Sequence, residues 1–340
     1  MPFRIIRDNL THVRADALVN TANPYPVIGS GTDRAVYEAA GREALLEERK
    51  KIGDIAEGDA AVTPAFSLDA RIIIHAVSPV WIDGKHDEVK KLSSCYTRSM
   101  ELALENECES IAFPLMAAGS NGFPNDIALR TALDAIQAFL FEHELEVILV
   151  VFDKRVFELS SRLFTDIREY ILEHEVNDAA AAEYEYHDAE DAISNRRRRR
   201  PYQTFAKALP DWAFTTPQHA AGHAFMPSKT EDTFQKHLFD LIDESGKTDP
   251  EIYKKANLDR KHFAKIRKDE NYRPKRETAI ALALALELSL DEAQDLIGRA
   301  GYTISMSTIF DMIIRYAFEN ELYDIYDVNA ILFDFDQPTL

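Results

Sequence analysis

The chain has 340 residues, 46 % of them hydrophobic, and a formal net charge of −19. This length suits two domains, and the acidic balance excludes nucleic-acid binding by the protein as a whole, so that such a role needs a local basic patch. The two cysteines lie apart from any His/Cys cluster, which predicts no metal site. No 18-residue apolar run is found, which predicts no membrane span. The small number of cysteines and the lack of an apolar leader predict a cytoplasmic protein.

Residues 1–176 alternate short apolar runs with helical patterns, as in an α/β fold. The runs predict strands at 3–6, 17–19, 60–63, 71–77, 110–114 and 147–152, and the patterns predict helices at 32–50, 88–106, 124–143 and 155–174. Continuous apolar strands separated by helices favour a mostly parallel sheet that is covered on both faces.

Two loops that follow strands are rich in small residues. The first, NTANPYPVIGSGTD, spans residues 20–33, and the second, PLMAAGSNGFP, spans residues 114–124. Neither matches the Rossmann or P-loop pattern, and neither carries a lysine or arginine. Loops of this kind at helix N-termini expose main-chain N–H groups, which can hold a diphosphate without a cationic side chain. Alone, the first loop is equally typical of a plain strand-to-helix turn.

Several motifs in a fixed order resemble those of a macrodomain, the ADP-ribose-binding module, over roughly residues 1–175. The motifs are NTAN at 20–23, IGSGTD at 28–33, IHAVSPVW at 74–81, SCY at 94–96, IAFP at 111–114 and the second glycine loop. The resemblance implies a three-layer α/β/α fold with a mostly parallel mixed sheet and ADP-ribose as the ligand. It implies no cofactor.

The resemblance also implies which residues meet the ligand. Asp8 matches the residue that binds the adenine amino group, Phe152 the aromatic that packs on adenine, and Phe123 the aromatic beside the distal ribose. The full predicted ligand-binding set is Asp8, Asn9, Ala22, Gly29, Ser30, Gly31, Thr32, Ala118, Gly119, Ser120, Asn121, Gly122, Phe123 and Phe152.

Asn23 and Asp33 have the ten-residue spacing of the asparagine and aspartate that flank the distal ribose in hydrolases of this family. A carboxylate can orient or deprotonate water, a carboxamide can hold a ribose hydroxyl, and the diphosphate can assist, so this chemistry requires no metal. Two other polar residues favour structural roles: we expect Asn20 to bind the loop's own backbone and His75 to be a hydrogen-bonded core histidine.

Residues 177–230 read as an acidic, arginine-rich linker. An alanine-rich acidic block precedes five consecutive arginines, 196–200, and an aperiodic segment follows. The arginines either bind phosphate groups of RNA or membranes, or form a solvated run that pairs loosely with the acidic block, and short charge blocks favour the second interpretation.

Residues 231–340 predict a separate all-α domain of seven helices. Residues 254–276 contain ten basic and three acidic side chains, a local charge of +7. The helix–turn–helix pattern resembles a lambda-repressor-type DNA-binding domain, which implies nucleic-acid contacts from Arg260, Lys261, Lys265, Arg267 and Lys268. The alternative is a helical scaffold whose basic face meets an acidic protein surface.

Two functions are therefore predicted for the chain. One is an enzyme that removes ADP-ribose from Asp or Glu side chains, or deacylates O-acetyl-ADP-ribose. The other is a non-catalytic sensor of an NAD-derived nucleotide whose helical domain acts as a regulator or adaptor. A chain that fails to bind ADP-ribose would instead be a scaffold with a vestigial pocket.

Overall fold

A six-stranded mixed sheet organises the first part of the chain. The structure, a computed structural model, describes residues 2–152, 166–172 and 232–340. The strands are β1 (Phe3–Arg7), β2 (Ala17–Thr21), β3 (Ala60–Pro64), β4 (Ile72–Ala76), β5 (Ser110–Pro114) and β6 (Glu146–Val151). Their order is β1-β6-β5-β2-β4-β3, and every neighbouring pair is parallel except β3 with β4. All six predicted strands and the mostly parallel mixed sheet are confirmed.

Helices cover both faces of this sheet. They are α1 (Thr32–Ala40), α2 (Arg42–Ile52), α3 (Glu88–Glu105) and α4 (Asn125–Glu142). Residues 166–172 form a further helix, α5. Leu18 of β2 and Ile73 of β4, which share one rung of the sheet, pack with Val36 of α1 and Leu45 of α2. Phe113 of β5 instead meets Tyr96 of α3, with ring centroids 5.1 Å apart. The predicted α/β/α layering is therefore observed.

The predicted single helix over 32–50 is wrong, because the chain breaks at Gly41. This glycine has φ 105°, and its N–H donates to the carbonyl of Tyr37, which ends α1 before α2 begins. A positive φ is costly for residues with a Cβ, so glycine is the residue that permits the break. Of the predicted helix at 155–174, residues 153–165 and 173–174 lie outside the described part, and 166–172 are helical.

Seven helices form the C-terminal part, as predicted. They are α6 (Phe234–Ser245), α7 (Asp249–Lys255), α8 (Arg260–Lys268), α9 (Arg276–Ala285), α10 (Leu290–Arg299), α11 (Ile309–Glu319) and α12 (Ile325–Asp334). Within the described ranges, no helix combines the length and apolar character that crossing a bilayer requires. The predicted linker, 177–230, and its arginine run, 196–200, lie outside the described residues.

The C-terminal helices share one compact unit with the sheet. In the turn between α7 and α8, the Asn257 side chain accepts the N–H of Phe3 at 2.9 Å and donates to the Phe3 carbonyl at 2.7 Å. The Phe3 ring stacks on Tyr326 of α12 at 4.9 Å, and Arg130 of α4 pairs with Asp327 at 2.6 Å. Because β1 is an edge strand, Asn257 takes the place of a neighbouring strand at Phe3.

Candidate functional site

The carboxyl ends of the parallel strands lie along one edge of the sheet. The order of the strands sets the order in which the predicted ligand-binding residues lie along that edge. Arg7 and Val151 are register partners, so Asp8 and Phe152 follow side by side. The second loop comes next, after β5, and then the first loop, after β2. Ligands of open α/β sheets bind at this edge. The strand order thus brings both loops and both predicted adenine contacts together.

At the first loop, Asn23 and Asp33 converge on Gly29. The Gly29 N–H donates to Asp33 Oδ2 at 2.5 Å, and Asn23 Nδ2 donates to the carbonyl of Val27 at 3.0 Å. A Cβ added at Gly29 would lie 2.8 Å from Asn23 Nδ2 and 3.2 Å from Asp33 Oδ2. The two predicted catalytic side chains are therefore neighbours, and glycine alone leaves room between them.

Below the loop, Asp33 joins a buried hydrogen-bonded chain. Asn20 Nδ2 donates to Asp33 Oδ1 at 2.7 Å and contacts His75 Nδ1 at 3.2 Å, and His75 Nε2 lies 3.0 Å from Thr63 Oγ1. Since an amide nitrogen only donates, Nδ1 is the acceptor and the neutral ring carries its proton on Nε2. Among the described residues, Asn20 Oδ1 is a buried atom without a partner. The expectation that His75 is a hydrogen-bonded core residue is confirmed. The expectation that Asn20 binds the loop's own backbone is wrong, because its amide bonds the side chains of Asp33 and His75.

Burial dominates the titration of this cluster. It raises the pKa of Asp33 against three opposing influences, the Gly29 N–H, the Asn20 amide and the charge of Arg49. Burial, followed by Arg49, lowers the pKa of His75 to about 3. Burial and the charge of Asp33 raise the pKa of Tyr37 to about 12. At neutral pH the histidine and the phenol are uncharged, so the charge of Arg49 is the one that opposes the effect of burial on the pKa of Asp33.

Arg49 of α2 supports the first loop from beneath, a role that the sequence analysis missed. Its side chain is buried, and Nη2 donates to the carbonyls of Asn23 at 3.2 Å and Pro24 at 3.1 Å, while Nη1 donates to the carbonyl of Gly53. The residue stands in a run of charged residues typical of a solvated helix, so no local pattern signals this burial.

The second loop holds its own shape through short-range bonds. The N–H of Gly122 donates to the carbonyl of Gly119 at 3.1 Å, and the N–H of Phe123 donates to that of Ala117 at 3.2 Å. Asn121 Nδ2 donates to the carbonyls of Ser78 and Pro79, at 3.0 and 3.1 Å. The loop is thereby attached to the segment that follows β4.

Not every predicted phosphate contact has a free donor. The N–H groups of Gly29, Gly122 and Phe123 are already used within the loops, and that of Ala22 donates to the carbonyl of Ala76 at 2.9 Å. Within the described residues, seven of the predicted loop contacts have a main-chain N–H without an acceptor: Ser30, Gly31, Thr32, Ala118, Gly119, Ser120 and Asn121. Gly31 precedes α1 and receives no side-chain cap, so the helix terminus is open. These donors can hold an anion between the two loops.

The predicted adenine end is exposed. The Phe152 side chain is 79 % exposed, and the Asp8 carboxylate accepts the N–H of Asn9 at 2.6 Å. The Asn9 side chain is used locally, because its Oδ1 accepts from the N–H and the hydroxyl of Thr11, at 3.1 and 3.0 Å. Asn9 therefore shapes the turn after β1, while Asp8 and Phe152 remain accessible.

Two other features near α3 have structural explanations. Asp83, His86 and Glu88 bring ligand-type atoms within 4.8 Å of one another, but the Glu88 carboxylate accepts four main-chain N–H groups of its own loop. A depression of about 470 Å³ along α3 is lined by paired charges such as Lys91 and Glu57, 2.9 Å apart, and contains none of the predicted site residues.

The five residues predicted to contact nucleic acid all lie on α8, and their contact with nucleic acid stays a prediction. Phe263 and Ile266 bury one side of α8, while Arg260, Lys261 and Lys268 are exposed and have no acidic partner within the described ranges. Lys265 lies over the Tyr272 ring at 5.8 Å and is also exposed. Arg267 instead pairs with Asp249 at 2.5 Å and lies over the ring of Phe239, so it stabilises the helical part.

The fold is that of an α/β protein whose strand ends carry two loops with free main-chain N–H groups. The family model described as "Macro domain" matches residues 19–132. A macro domain-containing protein of Listeria monocytogenes is 37 % identical over 170 residues, which cover 48 % of this chain and 97 % of that protein. The chain belongs to the macro domain family.

Other relatives add named activities and ligands of their own. A protein of Citrobacter rodentium named O-acetyl-ADP-ribose deacetylase is 36 % identical over 166 residues, covering 47 % of this chain and 94 % of its own. The Oceanobacillus iheyensis macrodomain with ADP is 30 % identical with a TM-score of 0.43, covering 45 % and 85 %. The Trypanosoma brucei macrodomain in complex with ADP-ribose is 31 % identical with a TM-score of 0.43, covering 46 % and 66 %. The C-terminal helices are not identified by these matches.

Proposed function

We propose that the protein binds ADP-ribose along the carboxyl edge of the sheet. Adenine lies at Asp8 and Phe152, the diphosphate lies between the two loops, and the distal ribose lies at Asn23 and Asp33. The strand order supports this arrangement, because β1 and β6 come first, β5 next and β2 last along the edge. The name of the Citrobacter rodentium relative, O-acetyl-ADP-ribose deacetylase, supports the choice of ligand.

The protein further hydrolyses ADP-ribosyl esters, either those on Asp or Glu side chains or O-acetyl-ADP-ribose. The observation that carries this proposal is the convergence of Asn23 and Asp33 on Gly29. Asn23 holds a distal ribose hydroxyl, and Asp33 orients and deprotonates a water molecule. For an ester at C1″, the water oxygen bonds to C1″, the bond to the acyl oxygen breaks, and a carboxylate leaves. The raised pKa of Asp33 brings a carboxylate closer to the basicity that proton transfer near neutral pH requires.

The substitution Asp33→Ala tests the hydrolysis. We expect ADP-ribose binding to persist, because the free loop donors remain, and turnover to fall by about 10²-fold or more because the base is lost. Binding is measured by calorimetry, and turnover as release of ADP-ribose from modified proteins and of acetate from O-acetyl-ADP-ribose. Glu38→Ala, an exposed carboxylate of the same helix, is the matched control. A wild-type protein without turnover on either substrate contradicts the proposal.

The second candidate is a non-catalytic sensor whose helical part contacts nucleic acid. The exposed cations of α8 that have no acidic partner in the described part of the chain favour it, since they stand out in a chain of net charge −19. Tight ADP-ribose binding without turnover supports the sensor. A mobility-shift assay at two salt concentrations tests the nucleic-acid contact, and a shift that is absent or insensitive to salt argues against it.

A further inference from the structure

The guanidinium of Arg49 lies beneath the first loop at a position that no loop motif includes. Arg49 is only 1 % exposed, and its three hydrogen bonds all go to main-chain carbonyls, of which two belong to Asn23 and Pro24. A buried arginine is costly unless its donors and its charge are satisfied. Here the satisfied donors hold the segment that carries the Asn23 side chain.

We propose that Arg49 is a positioning residue of the hydrolytic site, because its planar guanidinium fixes the main chain from which the Asn23 side chain extends. This inference rests on the proposed function. The side chain of Asn23 is oriented by the carbonyl of Val27, but its location depends on its own backbone, which Arg49 holds. Gly29 keeps the space beside the Asn23 side chain open, since a Cβ there would lie only 2.8 Å from Asn23 Nδ2.

The charge of Arg49 supplies a second effect on the same site. It opposes the burial that raises the pKa of Asp33, and it lowers the pKa of His75. The other groups around Asp33 are the Asn20 amide, the neutral His75 beyond it and the Tyr37 phenol, while Asp54 faces Arg49. Arg49 is therefore a cation whose charge lowers the pKa of Asp33. Without it, the protonated form of Asp33 persists to higher pH.

These two effects can be separated by substitution. Arg49→Lys keeps the charge but replaces the planar fork with a single ammonium, which cannot reach all three carbonyls in the same geometry. Arg49→Met removes both the charge and the donors. Arg71 provides the matched control, because its guanidinium donates to the carbonyls of Glu107 at 2.9 Å and Asn106 at 3.2 Å. It precedes β4, at the opposite end of that strand from the site.

The experiment measures kcat and KM for O-acetyl-ADP-ribose against pH, ADP-ribose Kd and thermal unfolding for the full chain and its variants. We expect Arg49→Lys to lower kcat per folded molecule about tenfold, to weaken ADP-ribose binding, and to leave the acid limb of kcat in place. We expect Arg49→Met to lower kcat about 10²-fold and to move the acid limb to higher pH. Arg71→Lys should leave kcat, Kd and the acid limb at wild-type values.

The inference would be overturned if Arg49→Lys kept the kcat and Kd of the wild type. It would also be overturned if Arg49→Lys and Arg71→Lys changed kcat and Kd by the same factors. If Arg49→Met does not fold, the lysine variant alone decides. A wild-type protein that binds ADP-ribose without turning over either ester refutes the proposed hydrolysis instead. The positioning role is then judged by Kd, which Arg49→Lys must weaken and Arg71→Lys must not.

Discussion

Replacing Gly29 with alanine tests whether Asn23 and Asp33 act as a pair. The new Cβ would lie 2.8 Å from Asn23 Nδ2, whereas ordinary contact begins at 3.4 Å, so the amide must retreat by about 0.6 Å. Asp33 Oδ2, at 3.2 Å, must retreat by less. Because a misplacement of about 1 Å can cost on the order of 10²-fold in rate, we expect kcat to fall about tenfold, equivalent to about 1.4 kcal/mol in the barrier.

The fold should tolerate this change, since the atom that must move is the end of a flexible side chain and Gly29 is not among the glycines with positive φ. The assay is ester hydrolysis at saturating substrate, accompanied by thermal unfolding and ADP-ribose calorimetry. Gly298→Ala is the control, because a Cβ there meets nothing within 4 Å and α10 lies in the helical part. Wild-type kcat in Gly29→Ala would refute the shared role of the two side chains.

Three further predictions concern the rest of the molecule. Folding lowers the pKa of His75 from 6.5 to about 3, so the unfolded chain takes up the proton first, and stability that is present above pH 6.5 is lost as the pH falls toward 3, by on the order of 5 kcal/mol. Urea unfolding of the wild type and of His75→Leu across this pH range checks the prediction, and equal pH dependence in both proteins contradicts it. If α8 binds nucleic acid, Lys261→Ala should reduce the slope of the logarithm of the association constant against the logarithm of salt concentration by about 1, while Arg267→Lys should chiefly lower the free energy of unfolding. The reverse pattern would exclude binding through the exposed side of α8. Asn257→Gly keeps the left-handed turn, where φ is 52°, but removes both bonds to Phe3, so the free energy of unfolding should fall by about 1–3 kcal/mol; an unchanged urea midpoint would show that these bonds contribute nothing.

The sequence predicted the sheet well because its signals are local. Six apolar runs and their intervening helices follow from periodicity, and the glycine loops follow from composition. The break at Gly41 was missed, although a glycine in a helical pattern is a recognised terminator. The left-handed turn at Asn257 was not predicted, although asparagine tolerates this conformation better than most residues other than glycine.

The support beneath the site could not be predicted in the same way. Asn20, His75 and Thr63 lie on three different strands, and Arg49 lies on a charged helix, so their contacts depend on the completed fold. The pairing of Arg267 with Asp249 is likewise invisible in a run of basic residues. Sequence patterns located the loops, but tertiary contacts decide which of their N–H groups remain free.

The hydrogen bonds between the Asn257 side chain and β1 have a practical consequence for the design of truncated forms of this protein. If the part of the chain that matches the macro domain relatives were expressed alone, the outer edge of β1 and the Phe3 surface that contacts Tyr326 would be exposed to solvent. Exposed edge strands of this kind pair with strands of other molecules. Shortened versions should therefore precipitate or pair with themselves, and the limits of similarity to relatives are a poor guide to where this chain can be cut.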